Sequence, residues 1–350
     1  GTQNAPSARA PSTFHKLPLG GTFFNKREFA SIAEKHESNG EKRLILTTLA
    51  LGDDDNIADF VIKSAQNWLY HLHNVGRAHN AIIIGVDART CDILIANQVP
   101  CFIDHMTTAW LRDPSIGYMP GGRQGVIKWY FTEVLLDLGY DVLYMDTDTV
   151  ALHDPFYHWD EKAKYEYDFQ ALSDYAGITH NRPWDKLKRD CQLYNVGGPD
   201  PSDMPVLLCA STGLFYLRAT NAGKVFAKAM VETITAEPQT WEAKHAQKVA
   251  LSFTFGEASS DILMVRLLDV AKFSNLGIYE ERARKKMGTN QLIALHCGLM
   301  VTSYKSMKLA SLGKWNPMGW NYEVLENFSV EGGYLVNPDS AKIAQVVPVK

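Results

Sequence analysis

Short apolar runs alternate with longer amphipathic stretches through the first half of the chain, the pattern of strands that each lead into a helix. Leu44 to Ala50 reads as a strand, followed by a helix from about Ile57 to Asn74 with Phe60, Val61, Trp68 and Leu72 recurring on one side. Ala81 to Asp87 is a second strand, a short helix spans Cys91 to Asn97, and Val99 to Ile103 is a third strand. A helix from about Gln124 to Leu138 then feeds Val142 to Met145, a run apolar on both faces, as in a covered sheet. This order predicts an α/β fold with a mostly parallel central sheet flanked by helices. The second half is less regular. It reads as strands at Phe169 to Ser173, Leu207 to Ser211 and Leu214 to Arg218, and helices at Asn221 to Thr235 and Trp241 to Leu251. A helix from near Asp261 to Val270 and strands near Leu276 to Tyr279 and at Leu292 to His296 complete it.

The apolar run at Val142 to Met145 ends in Asp146-Thr147-Asp148, two carboxylates two residues apart. In extended chain such residues face the same side, where they suit a hard divalent cation. A metal there can bridge a diphosphate and neutralise charge on a leaving group, the chemistry of sugar transfer from a nucleotide-sugar. The spacing alone is common, and Asp53 and Asp55 repeat it. Those two follow Gly52 in a polar turn and read as a solvated loop or helix N-cap.

Composition narrows the partners. With 350 residues, 46% hydrophobic, the chain can bury a large core. A net charge of -4 without clustered Lys and Arg argues against nucleic acid, and the run Glu280 to Lys286 is short enough to be a solvated face. No stretch of 18 or more apolar residues is present, so no transmembrane helix is expected within the chain. The opening residues, with Pro6, Pro11 and Pro18 among Ser, Ala and Thr, read as a flexible stem or tag remnant, here taken as 1–40. One domain is expected over 41–350, with a nucleotide-binding half at about 41–155 and an acceptor half at about 156–320. Five cysteines cannot all pair. Cys209 and Cys297 read as buried thiols, while Cys91 or Cys101 could bridge to Cys191 in an oxidising compartment.

Gly139 to Asp148 followed by Asp154-Pro155 resembles the signature of the nucleotide-diphospho-sugar transferases of glycosyltransferase family 77, relatives of the glycogenin-like family 8. Asn67-Trp68-Leu69, Asp87, Lys128, Ser173-Asp174 and Ser211 to Arg218 follow in the same order, across about residues 41 to 312. Two departures stand out: Ser211 where such enzymes usually carry Asn, and Ser259-Ser260 where they carry Asp-Gln.

The resemblance implies a GT-A fold and retaining transfer from a UDP-sugar donor to a glycan or glycoprotein acceptor, giving an α-linkage. Galactose is the first expected sugar, with xylose and arabinose as alternatives. It implies a site in the Golgi or secretory lumen, with a type II anchor outside the chain, and the sequon Asn327-Phe328-Ser329 is compatible with that. It makes His296 a third metal ligand beside Asp146 and Asp148, and imidazole with two carboxylates favours Mn²⁺ over Mg²⁺. Thr48, Leu49 and Ala50 would contact base and ribose. Asp87 would hold the ribose or cap the next helix, and Lys128 would contact the donor or lie on a solvated helix face. Thr147, Gly298 and Lys305, or else Lys308, would meet the diphosphate. Asp261 and Asp174 are the expected acids near the donor sugar, and Trp184, Trp315 and Trp320 are candidate acceptor contacts or core.

Overall fold

The computed structural model describes residues 20–23, 25–37, 40–51, 55–104, 113–118, 121–157, 167–173, 210–240, 242–254, 262–269, 271–284, 291–298 and 302–320. An eight-stranded sheet runs β1 (Gly20–Phe23), β4 (Cys101–Asp104), β3 (Ala81–Gly85), β2 (Arg43–Leu49), β5 (Asp141–Met145), β8 (Ala210–Leu217), β7 (Phe169–Ser173) and β9 (Val265–Leu267). Its first five strands are mutually parallel and β8 is antiparallel to both neighbours. A small second sheet orders β10 (Phe273–Asn275), β11 (Ala294–His296) and β6 (Thr149–Ala151), with β11 antiparallel to β6. The expected α/β architecture with a mostly parallel sheet is therefore the one observed.

Every residue of β2 is buried, as a strand covered on both faces requires. Leu44 and Leu46 enter one apolar cluster with Trp129, Phe169, Phe215 and Phe226, and Ile45 and Leu49 enter another with Trp68, Leu72 and Ile83. Helix α1 (Lys26–His36) is capped by Asn25, whose side chain accepts from Glu28 N at 2.9 Å. Helices α2 (Asp55–Asn74), α3 (Ala88–Ala96) and α4 (Gly122–Asp137) follow β2, β3 and β4, and α5 (Asn221–Ala236) and α6 (Glu242–Thr254) follow β8. Two more, α7 (Leu276–Arg284) and α8 (Thr302–Ser311), flank the small sheet.

Five expectations need correction. The boundary near residue 40 falls inside the folded unit: β1 pairs with β4, and Phe29, Ile32 and Ala33 of α1 are core. Ala210–Leu217 is one strand rather than two, although its pairing with β7 shifts register between Ser211 and Phe215, across Gly213. The segment after 261 forms β9 at Val265–Leu267, not a helix, because it pairs with β7 at the sheet edge. Leu276 to Tyr279 lies in α7; the strand there is the preceding Phe273–Asn275. The disulfide joins Cys91 to Cys101, tying α3 to β4, and Cys297 is a buried free thiol. Cys191, Cys209, Asp53 and the sequon lie outside the described residues.

His36 gives the fold an acid limit. Its ring is 1% exposed, donates from Nδ1 to His79 O at 3.0 Å and leaves Nε2 without a partner. Burial, aided by the nearby positive charges, lowers its pKa from 6.5 to about 4. A group depressed on folding stabilises fully above its unfolded value and loses that contribution as pH falls toward its folded value. Stability should therefore drop by about 3 kcal/mol between pH 6.5 and 4 from this residue. Urea titrations across that range should show the slope, and His36→Gln should flatten it.

Candidate metal centre and donor site

The two carboxylates are carried by a tight turn rather than by extended chain. Thr149 N donates to Asp146 O at 2.9 Å, so β5 closes directly into β6. Two antiparallel registers then bring the rest of the site together. Met145 faces Leu214, and Asp146 N donates to Gly213 O at 2.7 Å. Thr149 faces His296, which sets the imidazole beside the acidic turn. Nε2 of His296 lies 3.2 Å from Asp148 Oδ1 and 3.8 Å from Asp146 Oδ2. One ligand atom from each of Asp146, Asp148 and His296 lies within 4.8 Å of the others.

The space between them is kept clear. A Cβ at Gly213 would fall 2.5 Å from His296 Nε2 and 2.7 Å from Asp146 Oδ2, and one at Gly298 would fall 2.5 Å from His296 Cε1. Asp148 Oδ1 and both ring nitrogens of His296 are buried without a hydrogen-bond partner; the short Nε2 to Oδ1 approach is not aligned as a bond. Buried polar atoms are rarely left so. Two carboxylates and an imidazole converging on open space fit a divalent cation such as Mn²⁺ or Mg²⁺.

The carboxylates draw positive groups of the chain around them. Burial opposes a charge on His296, but Asp148 and Asp146 prevail and push the imidazole up to about 10. Burial likewise works against the Asp148 carboxylate, and His296 and Lys305 hold its pKa well below the usual range. Lys305 Nζ on α8 lies 2.6 Å from Asp148 Oδ2. Lys308 turns away to Glu280 at 2.7 Å, so Lys305 is the lysine of α8 that reaches the turn.

Lys128 is neither solvated nor free. It is 4% exposed on α4, donates to Thr212 O at 2.9 Å, pairs with Glu242 Oε1 at 2.8 Å and sits 4.4 Å from the centroid of the Tyr144 ring. Glu242 also accepts from Trp129 Nε1 at 2.5 Å, and burial raises its pKa despite Lys128. Tyr144 OH in turn donates to Asp146 Oδ1 at 2.9 Å. Sequence reading did not single out Glu242; the acids expected from it, Asp261 and Asp174, lie outside the described residues, while the described helix after α5 opens on Glu242.

The other expected residues divide. Thr48 and Leu49 end β2 on the same sheet edge as the acidic turn. Their carbonyls already accept from Gln124 Nε2 at 2.6 Å and from Val86 N at 2.9 Å. Ala50 and Thr147 are half-buried nearby in sequence. Asp87 caps α3, accepting from Thr90 N at 2.7 Å. Ser211 Oγ accepts from Gly213 N at 3.2 Å and so supports the turn at the site. Trp320 is core, its Nε1 donating to Gln98 O, and Trp315 stacks on Phe60 with centroids 5.9 Å apart. Asp174, Asp261 and Trp184 lie outside the described residues.

The family model for nucleotide-diphospho-sugar transferases matches residues 77–312, from just after α2 through α8. The chain belongs to that family. It is similar to UDP-D-xylose:L-fucose alpha-1,3-D-xylosyltransferase 3 of Arabidopsis thaliana, 29% identical over 151 residues, which are 41% of this chain and 34% of the relative. A second Arabidopsis thaliana relative, UDP-D-xylose:L-fucose alpha-1,3-D-xylosyltransferase MGP4, is 27% identical over 145 residues, 41% of this chain and 36% of that protein. The chain thus matches about a third of the length of these curated relatives. Among solved structures it is similar to mouse xyloside xylosyltransferase 1, with 10% identity, a TM-score of 0.43, and coverage of 73% of this chain and 98% of that one.

Proposed function

We propose that this family member is a metal-dependent retaining glycosyltransferase that moves a sugar from a UDP-sugar to a glycan or glycoprotein acceptor with an α-linkage. The observation that carries the reading is the convergence of Asp146, Asp148 and His296 on a glycine-lined space with orphaned buried ligand atoms. Those three residues would hold Mn²⁺ or Mg²⁺, and a bound ion would supply charge stabilisation to the departing diphosphate. Lys305 exchanges Asp148 for a phosphate oxygen when the donor binds. Thr48 to Ala50 and Asp87, at the ends of β2 and β3, meet the nucleoside.

Glu242 and Lys128 take the sugar end of the donor, with Glu242 the carboxylate best supported there; Asp174 and Asp261 are further acids for the same cleft. A retaining transfer asks little of a general base, because the departing phosphate oxygen can accept the acceptor's proton on the same face. The relatives' names carry UDP-D-xylose, which favours xylose over galactose as the first donor to test. The Cys91–Cys101 disulfide favours an oxidising compartment and hence the secretory or Golgi lumen. No helix among the described residues is long and apolar enough to cross a membrane.

Incubation with UDP-xylose, UDP-galactose and UDP-arabinose plus Mn²⁺ should release UDP from one of them, and EDTA should stop the release. Proton NMR of the first product should show an α-anomeric signal; a β signal would exclude retention. UDP binding without turnover of any donor, with acceptor glycans supplied, would make the protein a binding module instead.

A further inference from the structure

We infer that Tyr144 is a positioning residue for the metal centre, its hydroxyl orienting the Asp146 carboxylate through a relay that begins at Thr48; this rests on the metal-site reading above. Tyr144 is fully buried between Phe215, stacked at 5.2 Å and 13°, and the Lys128 ammonium at 4.4 Å from its ring centroid. Its oxygen meets two groups, Asp146 Oδ1 at 2.9 Å and Thr48 Oγ1 at 3.1 Å. A carboxylate can only accept and the phenol has one proton, so Tyr144 donates to Asp146 and Thr48 donates to Tyr144. An ordinary phenol keeps its proton at physiological pH, so the donor is present.

Orientation is what Asp146 lacks by itself. Its side chain is 36% exposed, and its Oδ2 is the oxygen that faces His296. With Oδ1 held by Tyr144, rotation of the carboxylate is blocked and Oδ2 stays aimed at the space left by Gly213. The relay also joins the end of β2, where the nucleoside is proposed to lie, to the acidic turn after β5. Partners that orient ligands in this way typically contribute about 10- to 100-fold in metal affinity.

The test is a titration of the purified protein with Mn²⁺ alone, reading free Mn²⁺ by electron paramagnetic resonance. Tyr144→Phe should weaken Mn²⁺ binding by about tenfold, and Thr48→Val, which leaves the phenol in place, by at least about threefold. A purely structural hydroxyl would lower the melting temperature and leave Mn²⁺ affinity at the parent value. A loss of less than about threefold in Tyr144→Phe, with Asp146→Ala losing the ion, overturns the positioning role. Parent-like affinity in Asp146→Ala instead overturns the metal-site reading itself. Should Tyr144→Phe fail to unfold cooperatively, Thr48→Val decides by the same threshold.

Discussion

Asp148→Ala is expected to abolish Mn²⁺-dependent UDP binding, weakening it by about 10²-fold or more, and to do so more completely than any other single change in the acidic turn. Asp148 is the most enclosed of the two carboxylates, at 8% exposure, and its two oxygens serve different partners: Oδ1 faces His296 and Oδ2 binds Lys305. Removing it deletes a ligand. It also leaves an imidazole and an ammonium facing each other across a buried space, which repels the incoming ion. Calorimetry of UDP binding with Mn²⁺ and with EDTA checks this, provided the variant still melts cooperatively. Parent-like Mn²⁺-dependent affinity would remove Asp148 from the site.

Much of the first half of the chain was legible because its signals are local. The run Leu44 to Ala50 is apolar on both faces and became β2, and the period in Ile57 to Asn74 became α2. The acidic turn stood out because an apolar strand led straight into it. His296 was reachable only through the resemblance, since nothing near Leu292 to His296 in sequence announces a partner 148 or more positions upstream. The antiparallel pairing of β11 with β6 makes that contact, and pairing register is a long-range property.

The misreadings have related causes. Val265-Arg266-Leu267 and Leu276 to Tyr279 are short segments, which periodicity alone assigns poorly to helix or strand. Edge pairing with β7 decided the first and the start of α7 the second. For Lys128 the sequence left a donor contact and a solvated helix face both open, because its partner, Glu242, lies 114 positions along the chain on another helix. The Cys91–Cys101 bridge was missed in favour of Cys191 because its two half-cystines fall in separate elements, α3 and β4, whose packing the sequence does not display.

The Lys128–Glu242 pair should separate stability from activity. Burial raises the Glu242 pKa in spite of the adjacent ammonium, so desolvation outweighs attraction for that carboxyl, and the pair is a poor source of stability. Breaking it is another matter. Glu242→Ala leaves the 4%-exposed Lys128 with a carbonyl and an aromatic face but no counter-charge, an arrangement that typically costs about 3–5 kcal/mol. The melting temperature should fall by about 10 °C. Replacing both, as Lys128→Met with Glu242→Leu, removes the buried charges together and should recover most of that loss, since apolar replacement of a buried pair is commonly neutral or stabilising. Sugar transfer should not recover with it, because the donor sugar would have lost both the carboxylate and the cation proposed to hold it. Differential scanning calorimetry beside a UDP-release assay reads both quantities. A double variant that regains activity along with stability would confine the pair to packing and move the donor-sugar contacts to other acids of the cleft.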